Sequence, residues 1–138
     1  MIKKIFIASD HAGYEMKMKL NKHFTQFIDL GTNSNESVDY PDFANKLTNE
    51  VLNNKESIGI LICATGVGMS IAANRVAGIR AGLVNNAKIA RLIRQHNDAN
   101  VLVIPGRYMD EKEAVNCVLN FINGEFDAGR HKKRIDKI

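Results

Sequence analysis

The chain has 138 residues, 45% of them hydrophobic and 25% charged, with a formal net charge of +4, which suits one globular domain with a core of its own. No apolar run nears the roughly 20 residues of a membrane span, and the apolar start Ile5-Phe6-Ile7-Ala8 is broken at Asp10-His11 before it reaches the length of a leader segment, so a cytoplasmic protein without a membrane partner is expected. The charge is confined to one end: Arg130, Lys132, Lys133, Arg134 and Lys137 are offset only by Asp136, which leaves residues 1–129 neutral, whereas a nucleic-acid surface spreads its charge along a face or groove.

Residues 2–8 read as a first strand. Residues 14–27 place Met16, Leu20, Phe24 and Phe27 on one helical face. A short second strand over 27–30 stops at Gly31, and the polar run 32–39 has no periodicity. After Pro41, the four-residue spacing of Phe43, Leu47 and Val51 predicts a second helix. Residues 57–62 form a third strand built on the apolar run 58–62, and the Gly66–Gly68 turn leads into a third helix through Ile71-Ala72-Ala73-Asn74. A fourth strand is expected over 79–84, a fourth helix over 86–95, and a fifth strand over 101–104, ended by Pro105-Gly106. The last helix, over 113–123, turns Val115, Val118, Leu119 and Ile122 inward. It holds Cys117, read as a small core residue. Cys117 and Cys63 are the two cysteines, and neither belongs to a CxxC pair, so zinc-ribbon and dithiol chemistry lack their ligands and no disulfide is expected. The basic segment from Arg130 follows as a tail, suited to a small anion such as one phosphate group or to plain solvation.

Strands alternating with helices predict an α/β fold over residues 1–138. It is a three-layer sandwich whose five-stranded parallel, doubly wound (Rossmann-like) sheet is covered on both faces and followed by a C-terminal basic tail. No repeat, linker or low-complexity stretch interrupts it. In such sheets ligands bind beyond the carboxyl ends of the strands. That rule selects Ser9-Asp10-His11-Ala12-Gly13, the turn from Cys63 to Ser70, and the segment after the fifth strand. A further cluster, His96-Asn97-Asp98-Ala99-Asn100, precedes the fifth strand. It is expected on the opposite edge of its own subunit, which points to an active site that a neighbouring copy completes.

The Cys63 turn carries the sharpest chemistry. A thiol at the end of a buried strand sits beside a glycine turn that opens a helix. The free backbone N–H groups of such a turn bind anions and favour a thiolate, so Cys63 is a candidate nucleophile or base. The turn is not a dinucleotide fingerprint: the third glycine would fall at Ile71, and the turn follows the third strand, not the first. No Walker loop is present. Cysteine phosphatases close the loop with an arginine, where this chain has Met69 and Ser70. Asp10-His11 taken alone is a weak signal, because Asp and His after a strand often only cap the next helix. His96 alone is no more specific, His23 reads as solvated, and His131 sits ambiguously among the tail cations. Together, Cys63, Asp10, His11, His96 and the tail supply a base, an acid, an anion hole and a phosphate clamp.

On these residues the chain resembles the ribose-5-phosphate isomerase B family, which includes the galactose-6-phosphate isomerase subunits. The resemblance covers nearly the whole length. It is carried by Ser9-Asp10-His11-Ala12-Gly13, Asp39-Tyr40-Pro41, Cys63-Ala64-Thr65-Gly66-Val67-Gly68, Ile71-Ala72-Ala73-Asn74, Arg94-Gln95-His96-Asn97-Asp98-Ala99-Asn100 and Gly129-Arg130-His131-Lys132-Lys133-Arg134.

The resemblance implies reversible conversion of ribose 5-phosphate to ribulose 5-phosphate through an enediolate, with neither metal nor organic cofactor. It implies that Cys63 moves the proton between C2 and C1. The amides of Gly66, Val67, Gly68, Met69 and Ser70, helped by the Thr65 hydroxyl, would hold the enediolate oxygen. His96, together with Asp10, would move a proton in ring opening, and Asn97 would hold sugar hydroxyls. His11, Arg130 and Arg134 would clamp the phosphate, joined by Arg107, while Tyr40 lines the pocket. The family pattern also implies a homodimer or homotetramer with shared active sites. Some similar enzymes use a glutamate base in the turn; that position is Met69 here. Ala64 stands where the family usually has glycine. That leaves substrate preference open, and one alternative is an isomerase for a six-carbon substrate such as allose or galactose 6-phosphate; a second, of a different class and needing the turn but not the thiol, is a non-catalytic nucleotide or phosphosugar binding module.

Overall fold

The computed structural model describes residues 1–138. Its strands β1 (Lys4–Ser9), β2 (Ile28–Asp29), β3 (Ser57–Cys63), β4 (Ala81–Leu83) and β5 (Val101–Pro105) alternate with helices α1 (Tyr14–His23), α2 (Tyr40–Asn53), α3 (Val67–Asn74), α4 (Ala87–Asn97) and α5 (Glu111–Ile122), and a short helix α6 (Arg130–Ile135) ends the chain. All strand pairs are parallel, in the order β2-β1-β3-β5-β4. The expected doubly wound sheet is therefore the one formed. No helix is long and apolar enough to cross a membrane.

Strand alternation divides the core into two layers. Ile5, Ile7, Ile58, Ile60, Ile62, Leu102 and Ile104 face α1, α4 and α5, where they meet Met16, Leu20, Ala90, Cys117, Val118 and Phe121. Phe6, Ala8, Leu61, Cys63, Val101 and Val103 face α2 and α3, where they meet Ala44, Leu47, Val51, Met69 and Ala73. The parity of β3 thus sends the Cys63 side chain to the α3 face.

Three elements differ from their expected form. Helix α1 stops at His23, because Phe24 leaves the helix and stacks on Phe27 with ring centroids 4.9 Å apart. Helix α4 runs on to Asn97 and is closed by Asp98 in the left-handed conformation, φ 42°. Asp98 also holds the Arg94 and Arg80 side chains, so His96 and Asn97 lie on the last helical turn rather than in a loop. The basic tail is helix α6, with a Lys132–Asp136 ion pair one turn apart at 2.8 Å. Helical geometry fixes Arg130 and Arg134 on one face, four residues apart.

Candidate active site

The first group of site residues gathers at the carboxyl edge of the sheet. Cys63 is the last residue of β3 and only 5% exposed. Gly66 follows with φ +78°, a conformation open to glycine, and starts α3. The Thr65 hydroxyl accepts the Val67 N–H at 3.2 Å. The N–H groups of Ala64, Thr65, Gly66, Gly68 and Met69 meet no acceptor in the chain, so the turn presents a set of free donors beside the thiol. Ala64 is not among the residues with positive φ, and its methyl therefore brings no left-handed strain.

The neighbouring loops lock this turn in place. The carbonyl of Cys63 accepts the Gly106 N–H at 2.8 Å, and that of Ala64 accepts the Arg107 N–H at 3.1 Å. Asp10 is 6% exposed; its N–H donates to Ile62 O at 3.2 Å, and its carboxylate accepts the Gly13 N–H at 3.0 Å. This helix-start contact is one of the two readings its sequence position left open. Tyr40, on the first turn of α2, packs on Gly68: a Cβ there would lie 2.6 Å from the phenol ring. His11 and Arg107 line one cleft of about 310 Å³ together with Glu15, Lys19 and Glu111.

The second group sits at the amino edge. His96, on the last turn of α4, stacks on His131 of α6 with ring centroids 4.4 Å apart and planes 12° from parallel. Asn97 follows His96, and its carbonyl accepts the Arg80 Nε–H at 2.9 Å. Exposed Arg130 and Arg134 share α6 with His131. The Asp127 N–H donates to Gln95 O at 3.0 Å and ties the segment before α6 to α4. Partial burial, His96, Arg130 and Arg134 lower the His131 pKa, against a smaller upward pull from Asp127.

Within one chain the structure therefore brings Cys63, Thr65, the Gly66–Ser70 turn, Asp10, His11, Tyr40 and Arg107 to one edge. It places His96, Asn97, Arg130 and Arg134 at the other. Helix α4 spans the sheet between them: it starts after β4 and ends before β5.

Other residues that shape the site carry little sequence signal. Lys17 is fully buried with Nζ 2.7 Å from both carboxylate oxygens of Asp29, which anchors the loop after β2. The Val38 N–H donates to His11 Nδ1. Glu113 accepts the first N–H of α4, from Ala87, at 2.7 Å. The only available hint of Lys17 is its place one residue from Met16 on the inward stripe of α1.

The fold and the cysteine turn define a class: doubly wound α/β proteins with a donor-rich turn at the carboxyl edge of a parallel sheet. Comparison with known proteins narrows it. A family model described as Ribose/Galactose Isomerase matches residues 5–138. Ribose-5-phosphate isomerase B of Escherichia coli (strain K12) is 40% identical, over 99% of this chain and 95% of that protein. The crystal structure of a ribose 5-phosphate isomerase from Thermotoga maritima superposes with a TM-score of 0.95 at 50% identity, covering 97% of this chain and 95% of that one. Ribose-5-phosphate isomerase B from Mycoplasma genitalium, solved with bound ribulose-5-phosphate, gives a TM-score of 0.93 at 42% identity, over 99% of this chain and 95% of that one. The chain belongs to the ribose/galactose isomerase family.

Proposed function

We propose that the protein interconverts ribose 5-phosphate and ribulose 5-phosphate, with Cys63 as the base. The observation that carries this reading is the placement of the Cys63 thiol at the end of β3, beside a turn whose Ala64, Thr65, Gly66, Gly68 and Met69 amides have no acceptor in the chain. The thiolate takes the proton from C2 of the open-chain aldose, and the electron pair moves to the C1 oxygen as an enediolate forms. The same thiol returns the proton to C1 while the proton on the C2 hydroxyl passes to the C1 oxygen, which leaves the ketose. Free amides aimed at the developing oxyanion contribute about 3 kcal/mol for each donor.

The remaining groups serve binding and ring opening. His11 and Arg107 beside the turn, and Arg130 and Arg134 on α6, bind the phosphate. His96 moves a proton on the ring oxygen, Asp10 supports it, Asn97 holds hydroxyls, and Tyr40 walls the pocket. These residues lie at two edges of one chain, so two copies must share each site. The exposed apolar side chains of Val67 and Ile71, on α3 next to the Cys63 turn, support an interface there.

Cys63→Ala is expected to lower kcat by about 10²–10⁴-fold while the circular dichroism spectrum is kept; normal turnover would exclude Cys63 as the base. Mixing inactive Cys63→Ala with inactive His96→Gln after dissociation and reassociation is expected to restore part of the activity, because a mixed dimer contains one site with both groups intact. A mixture no more active than its parts would rule out the shared site.

A further inference from the structure

The side chains of His96, at the end of α4, and of Asp127 and His131, in the segment that opens α6, converge so that one ligand atom from each lies within 4.8 Å of the other two. Apart from the His96–His131 stack, the three polar groups are uncommitted: neither imidazole donates or accepts a hydrogen bond, and the Asp127 carboxylate forms no ion pair. His11, by contrast, is committed to Val38. The backbone already fixes the trio. The Asp127 N–H is bound to Gln95 O, and the His131 N–H to Ala128 O, both at 3.0 Å. His96 lies on the last turn of α4, where the helix dipole favours a cation.

We infer that His96, Asp127 and His131 form a binding site for a borderline divalent metal ion such as Zn²⁺. Two imidazoles and one carboxylate are a ligand set that zinc accepts. Bonds of about 2.0–2.1 Å in tetrahedral geometry need ligand atoms about 3.3 Å apart. The site therefore closes by up to about 1.5 Å on binding, and one ring must tilt out of the His96–His131 stack so that both lone pairs converge. Asp127 is exposed and free to follow. Arg130 and Arg134 on the same short helix oppose a dication and limit its affinity. The ion is an inhibitor and not a cofactor: it occupies the nitrogen of His96 needed for the sugar ring. That consequence rests on the role proposed for His96, whereas binding does not.

The test uses Zn²⁺ alone, in competition with a chromophoric chelator, on the intact protein and on His131→Gln, Asp127→Asn and Cys63→Ser. The expected result is a zinc affinity about tenfold or more weaker in His131→Gln and Asp127→Asn, and unchanged in Cys63→Ser. Bound Co²⁺ is expected to show a visible absorption band that the first two variants lose. Equal zinc affinity in wild type and His131→Gln would overturn the site, as would its loss in Cys63→Ser. In parallel, Zn²⁺ is expected to inhibit the wild-type isomerase reversibly and to spare Asp127→Asn, whose metal-free rate is kept. Zinc bound as expected with full turnover would uphold the site and overturn the assignment of His96. An inactive metal-free wild type that still binds zinc would refute the isomerase reading alone.

Discussion

His11 accepts the backbone N–H of Val38 on Nδ1 at a distance of 3.1 Å. A neutral ring nitrogen that accepts carries no proton, so Nε2 bears it and His11 offers an N–H donor in the cleft it lines with Arg107. Val38 lies in the polar loop after β2, whose start is fixed by the Gly31 N–H on Asp29 at 2.8 Å. A segment without periodicity thus sets the tautomer of the residue proposed to bind the phosphate. Nitrogen-15 NMR at neutral pH is expected to find His11 in the Nε2–H form. His11→Ala is expected to raise KM for ribose 5-phosphate by about ten- to a hundredfold, the worth of a hydrogen bond to a charged group, with kcat changed far less. An Nδ1–H tautomer, or an unaltered KM, would remove His11 from this role.

The ion pair behind that loop is asymmetric. The Lys17 side chain is 0% exposed and the Asp29 side chain 30%. Removing the carboxylate strands a buried ammonium, whereas removing the ammonium leaves a carboxylate that keeps water, Asn21 Nδ2 at 3.0 Å and the Gly31 N–H. Asp29→Ala is therefore expected to cost about 3–5 kcal/mol, and Lys17→Met distinctly less. The double variant Lys17→Met with Asp29→Leu is expected to recover much of the loss. Urea denaturation of the three variants checks the order, and equal losses from the two single changes would contradict the asymmetry.

The strong periodicities of this chain were legible because they are local. The apolar run 58–62, the glycine turn behind it and the Leu47–Val51 spacing each carry their reading within a few residues, and β3, α3 and α2 form there. The remoteness of His96 from Cys63 was also legible, because chain order alone puts the end of α4 opposite the end of β3. The end of α1 was not, since Phe24 and Phe27 continue the helical spacing yet gain more by stacking on each other. Nor was the tail, where clustered cations mask the helix that Arg130 to Ile135 form. Asp127, His131 and Val38 owe their places to contacts between segments distant in sequence. Only the folded chain brings those segments together.

Cys117 gives a pH dependence whose sign follows from its burial. The thiol is fully buried, with Sγ 3.8 Å from Met109 Sδ. Desolvation, aided by the nearby Glu113 carboxylate, pushes its pKa from 9.0 up to about 12. The unfolded chain releases this proton near pH 9.0 while the folded chain retains it to about 12, so in that interval the unfolded state binds fewer protons. The contribution is complete below the lower value, and stability falls as pH rises towards the upper one. Cys117→Ala leaves a small cavity and is expected to be less stable at neutral pH, but its urea midpoint should fall less steeply than that of the wild type above pH 9.0. The comparison with the variant cancels the lysines and tyrosines that titrate in the same range. Parallel slopes for the two proteins would mean that the buried thiol does not govern this interval.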